Sequence, residues 1–130
     1  MQLLREAVVR HRILLLEDDR HSIDELRDVF GERGYECEVA LDLETARSIL
    51  DNRMMDVAVI NRAMLDLDDR AIIRELKERD PHMKPVIYNG VKDKTHQRKM
   101  RRLGAASYLS SASDIAAVGR AVQRIIEEGE

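Results

Sequence analysis

Short runs of consecutive apolar residues alternate along this chain with longer stretches in which apolar residues recur every three or four positions. Ile13 to Leu16 is such a run, too short for a helix and suited to a strand buried on both faces, so the first strand is placed at Ile13 to Glu17. From Ser22 to Arg33 the apolar residues Ile23, Leu26, Val29 and Phe30 share one helical face, and Gly34 stops the helix. Tyr35 to Leu41 alternates as a second strand, and Asp42 can cap a helix whose inner face is Leu43, Ala46, Ile49 and Leu50. Asn52 and Arg53 end it. Asp56 to Asn61 is the third strand, after which Asp68 or Asp69 can cap a helix with Ile72, Ile73 and Leu76 inward. Asp80 and Pro81 break that helix. Pro85 to Tyr88 reads as a short fourth strand, Asp93 to Leu103 as a very basic fourth helix stopped by Gly104, and Ala106 to Leu109 as the fifth strand. Ser113 is the expected cap of a last helix with the stripe Ile115, Val118, Val122, Ile125 and Ile126. Five strands alternating with five helices predict an α/β fold, a doubly wound parallel sheet with helices on both faces.

In open sheets of this kind chemistry gathers in the loops at the carboxyl ends of the strands. Two buried strands here deliver acids to that edge: the first ends in Glu17, Asp18 and Asp19, and the third in Asn61, Arg62 and Ala63, followed by Asp66, Asp68 and Asp69. The pattern is that of a metal or phosphoryl site, or of a solvated acidic cluster, and its central residue is an amide.

A length of 130 residues fits one domain, here residues 12–130, preceded by an N-terminal extension, 1–11, in which Leu3, Leu4, Ala7 and Val8 permit a short helix. The net charge of -3 predicts no general affinity for nucleic acid. No apolar run approaches a membrane span or a signal-peptide core, so a cytoplasmic location is expected. The single cysteine, Cys37, reads as a small apolar strand residue in a reducing compartment.

The motifs Ile-Leu-Leu-Leu-Glu-Asp-Asp at 13 to 19, Asp56 ahead of the end of the third strand, Pro85-Val86-Ile87, and Gly104-Ala105-Ala106-Ser107-Tyr108-Leu109 come in an order and spacing that resembles a response-regulator receiver domain of two-component signalling. The resemblance implies a flavodoxin-like fold with strand order 2-1-3-4-5. It implies that Glu17 and Asp18 match the acidic pair that holds Mg2+ and that Asn61 stands at the aspartate that takes the phosphoryl group. An amide oxygen is a poor nucleophile and brings no full charge to a metal, so acyl-phosphate chemistry at Asn61 should fail. The hydroxyl of the family's fourth-strand Ser or Thr falls on Gly90, or on Asn89, and the Lys-Pro pair after the fifth strand falls on Ser111 and Ala112. Tyr108 matches the aromatic switch residue, although a strand tyrosine is commonly a packing residue with its hydroxyl at the surface. Leu65 and Asp69 replace the family's Pro and Gly after the third strand.

The expectation is therefore a degenerate receiver, not an enzyme, that acts as a protein-protein interaction module without Asp phosphorylation. Its partner would be a histidine kinase, an output domain or another signalling protein, met through Lys94, Arg98, Lys99, Arg101 and Arg102. It needs no cofactor, with at most weak Mg2+ binding at Glu17 and Asp18. A weak homodimer is compatible with the basic and acidic edges of the last two helices, while the basic segment lacks the interleaved aromatics of a nucleic-acid binder. The enzymatic alternative is a working phosphoacceptor, with Asp at position 61 in the natural protein or with Asp66 substituting. A flavodoxin-like binder of a small anion or nucleotide would need a phosphate loop, and none is visible. His11, His21, His82 and His96 have no metal-ligand spacing and read as surface or packing residues.

Overall fold

In the computed structural model, which describes residues 10–65 and 68–129, the apolar runs become five parallel strands: β1 (Arg12–Leu16), β2 (Glu36–Ala40), β3 (Val57–Asn61), β4 (Lys84–Gly90) and β5 (Ser107–Ser110). Their order in the sheet is β2-β1-β3-β4-β5. Among the described residues the helices are α1 (Arg20–Glu32), α2 (Leu43–Asn52), α3 (Asp69–Arg79), α4 (Lys94–Leu103) and α5 (Ile115–Gly129), with a 3-10 turn, Arg62–Met64, directly after β3. The short helix permitted by residues 1–11 falls mainly on residues 1–9, outside the described residues, as does Asp66.

Strand residues point alternately to the two faces, and each face gathers its own core. Leu14, Leu16, Ala58, Ile60 and Ile87 pack with Ala46, Leu50, Ile73, Leu76 and Met100 of α2, α3 and α4. Ile13, Leu15, Val57, Val59 and Val86 pack with Ile23, Leu26, Phe30, Val118 and Val122 of α1 and α5. The central strands are buried on both sides, which is why they read as unbroken apolar runs. Burying a Leu or Ile of this kind contributes about 1.5–3 kcal/mol, so the two layers dominate the fold's stability.

Helix ends are set by side chains. Asp19, Asp42, Asp68 and Asp93 each accept N–H bonds from the first turn that follows. Gly34 (φ 78°) and Gly104 (φ 123°) take the backbone conformation that ends a helix where a side chain would be strained. The last helix departs from expectation: Asp114, not Ser113, supplies the capping oxygen, Oδ1 accepting from Ala117 N at 2.8 Å. β4 is also longer than the Pro85 to Tyr88 strand expected from sequence. Its pairing with β5 shifts between Ile87 and Gly90, at Asn89 (φ 59°), and such an irregularity breaks the apolar pattern that marks a strand. Among the described residues no helix is long and apolar enough to cross a membrane.

Candidate functional site

The first, third and fourth strands end side by side, and the register pairs Leu16 with Ile60 and Asn61 with Tyr88. Glu17 therefore follows β1 beside Asn61. It is 1% exposed, and its two carboxylate oxygens accept from Asn61 Nδ2 at 3.0 and 3.1 Å. Oε2 also accepts from the backbone N–H groups of Asp18 and Asp19, and Oε1 from the Tyr88 hydroxyl. Burial and then the Glu17 carboxylate push the Tyr88 pKa upward, so the phenol remains a donor. The carbonyl oxygen of Asn61 accepts from Ala63 N at 3.0 Å and from Asn89 Nδ2 at 3.2 Å. Asn61 thus donates from its amide nitrogen to a buried carboxylate and uses its oxygen to start the 3-10 turn.

A cleft of about 530 Å3 opens over this group, lined by Glu17, Asn61, Tyr88, Asn89 and Ser111 among others. Four expected site residues, Glu17, Asn61, Asn89 and Ser111, meet here. Asp18 is exposed, and Asp19 is drawn into capping α1, its pKa lowered by hydrogen bonds from Ser22. A hard cation such as Mg2+ needs several converging oxygen lone pairs. Those of Glu17 already face donors, Asn61 turns its nitrogen toward Glu17, and among the described residues no three His, Cys, Asp or Glu side chains converge on an ion site. As placed, these residues do not fit the metal.

Gly90 and Tyr108 belong to a second, adjoining group. Tyr108 is 2% exposed and lies inward, against Gly90, where a Cβ would stand 2.6 Å from Tyr108 Cζ. Its hydroxyl accepts from Val91 N and donates to Asp69 Oδ2, both at 3.2 Å. The hydroxyl is therefore buried, contrary to the expectation of a surface hydroxyl. Asp69, 3% exposed, also receives Arg62 Nε and His96 Nε2 at 2.9 Å each. Burial alone would raise the Asp69 pKa, but the His96 and Arg62 hydrogen bonds outweigh it and hold the carboxyl below its usual range. His96 stands edge-on to the Tyr108 ring, with centroids 5.6 Å apart.

The basic residues lie elsewhere. Lys92, Lys94, Arg98, Lys99, Arg101 and Arg102 are exposed and have no ion-pair partner among the described residues. Sequence reasoning placed Asp69 among the acids of this edge but missed Tyr88 and His96 as members of the two groups. A tyrosine at the carboxyl end of an otherwise aliphatic strand was the available signal for Tyr88, whereas His96 carried none. Cys37 is free and half-buried, and burial raises its pKa to about 11, in keeping with a packing role.

Residues 13–123 match the family model of the response regulator receiver domain. Over 102 residues the chain is 28% identical to the photosynthetic apparatus regulatory protein RegA of Rhodobacter capsulatus, covering 78% of this chain and 55% of RegA, so it spans about half the length of that curated relative. Among solved structures, the receiver domain of Francisella response regulator 1452 superposes with a TM-score of 0.82 at 20% identity, covering 93% of this chain and 100% of that one. The beryllofluoride-activated NtrC4 receiver domain dimer gives a TM-score of 0.80 at 22% identity, covering 92% of this chain and 98% of that one. A match over most of the chain, joined to the strand order and the edge at which Glu17 and Asn61 meet, leads to one conclusion: the chain belongs to the response regulator receiver domain family.

Proposed function

We propose that this receiver domain signals by binding a protein partner through the face of α4, β5 and α5, and that it does so without phosphorylation at position 61. The observation that carries the reading is the state of Asn61. Its amide nitrogen is engaged by Glu17 and its oxygen by Ala63 and Asn89, so at the position where the resemblance puts the phosphoacceptor the side-chain oxygen is already a satisfied acceptor and a poor nucleophile. Two further positions support it. Gly90 offers no hydroxyl to a phosphoryl group, and Ser111 offers no cation. The partner belongs to the signalling class that receivers serve, a histidine kinase, an output domain or another signalling protein, and the exposed cations of α4 favour an acidic surface on it.

Acetyl phosphate or beryllofluoride with Mg2+, read by intact mass and by amide chemical shifts, tests this directly. No mass gain and no shift at residues 89–111 is the expected outcome. A stable phosphoryl adduct, or a clear shift of those amides in the unmodified protein, would establish a working phosphoacceptor instead.

A further inference from the structure

Asp68 already caps α3, accepting from Arg70 N and Ala71 N, so the buried acid beside it is not needed for that task. An ionised carboxylate at 3% exposure is costly unless it is paired. Asp69 meets that cost with three donors on one oxygen: Arg62 from the 3-10 turn, His96 from the first turn of α4, and the Tyr108 hydroxyl from β5. Tyr108 in turn accepts from Val91 at the start of the β4–α4 loop, and Gln97 Nε2 donates to the Val91 carbonyl at 3.0 Å.

The start of α4 has little else to hold it. Met100 is the only fully buried side chain of the helix, and it lies in the second half. The inward contacts of the first turn and a half are His96 on Asp69, the His96 ring on Tyr108, and Gln97 on Val91. Tyr108 can sit inward only because Gly90 has no side chain, since a Cβ there would overlap the phenol ring.

We infer that Asp69 is a built-in latch: through His96 and Tyr108 it fixes the position from which α4 presents its cations, and Gly90 is the vacancy that admits the tyrosine. The chain then holds its partner face in one arrangement with its own groups, needing no added ligand. In assigning that face to a partner, the inference rests on the phosphorylation-independent reading above. The latch itself is a property of the isolated domain.

The test is amide hydrogen exchange and 1H-15N shifts of the whole chain, without partner or phosphodonor. Asp69→Asn keeps the shape and removes the charge. It is expected to speed exchange at Val91 about tenfold and to shift residues 94–98, while the core amides of β1 and β3 keep their protection. Gly90→Ala is expected to move the Tyr108 ring resonances, assigned by Tyr108→Phe, toward solvent-exposed values. If Gly90→Ala does not fold, Asp69→Asn and His96→Gln decide the matter. Unchanged Val91 exchange and unchanged α4 shifts in Asp69→Asn would overturn the latch, and so would a uniform loss of protection across the sheet, which would make Asp69 a general stabiliser. A beryllofluoride response in the parent protein would sink the phosphorylation-independent reading while leaving this measurement intact.

Discussion

Asn61 suits its place because a neutral amide can donate to Glu17 at 3.0 and 3.1 Å, where a second carboxylate would face the first at the same distance. Asn61→Asp is therefore expected to destabilise the metal-free domain by roughly 1–3 kcal/mol, the cost of exchanging a buried hydrogen bond for like-charge repulsion. Mg2+ should restore that loss and bind the variant more tightly than the parent. Urea unfolding and calorimetric titration, each with and without Mg2+, check both statements, and equal Mg2+ affinities would remove the charge argument. Asp69 carries a pH dependence whose sign follows from its depressed folded pKa. Its hold on α4 is fully present above the unfolded value of about 3.8 and is lost as pH falls through the lower folded value. The amide shifts of residues 94–98 should accordingly move less in Asp69→Asn than in the parent as pH falls through that range. The places of Glu17 and Asn61 were legible because each follows a buried run, and a strand end is a local property. Tyr88 and His96 were not: their acids lie 71 and 27 residues away, and only the register of the sheet and the docking of α4 bring them together.

Helices in this chain differ in how they are attached, and their sensitivity to substitution follows. α1 and α5 approach closely at Gly119, where a Cβ would stand 2.6 Å from Val29 Cγ1. Gly119→Ala must push these helices apart and is expected to cost about 1–3 kcal/mol despite its better helix propensity. α4 is the opposite case, with Met100 as its only fully buried side chain. Met100→Ala should cost roughly 2–5 kcal/mol and free α4 before the sheet, seen as early exchange of its amides. A variant that unfolds in one step with the sheet would show that α4 is held by more than Met100 and the polar contacts of its first turn. Element ends were read well where one residue decides them, as at Asp42, Gly34 and Gly104. They were read less well where two candidates adjoin, as at Ser113 and Asp114, because only the loop's path selects which oxygen meets the N–H groups of α5.

At the scale of the whole molecule, the charges of the described residues are divided between a paired side and an unpaired one. Arg47 and Arg79 meet Glu75 at 2.6 and 2.9 Å, and Arg79 also meets Asp51 at 2.6 Å, so α2 and α3 neutralise each other. The cations of α4 meet no acid among the described residues, and the net charge of -3 hides this concentration. The alternation of elements alone predicted a doubly wound sheet. The strand order came from the family resemblance, since periodicity says which residues are buried but not which strand lies beside which. Glu127 and Glu128 close α5 with exposed carboxylates, so two copies related by a two-fold axis can set the basic edge of one against the acidic edge of the other. Exposed pairs of this kind contribute only ~0–1 kcal/mol each and are screened over about 8 Å at physiological salt. The dimer should therefore be weak, populated at high protein concentration and low ionic strength, and dispersed by salt. Arg101→Glu with Arg102→Glu should weaken it further, because both contacts would become like-charge pairs. Light scattering across a salt series measures each outcome. A particle that stays monomeric at high concentration and ignores salt would leave the cations of α4 to an acidic partner of a different sequence.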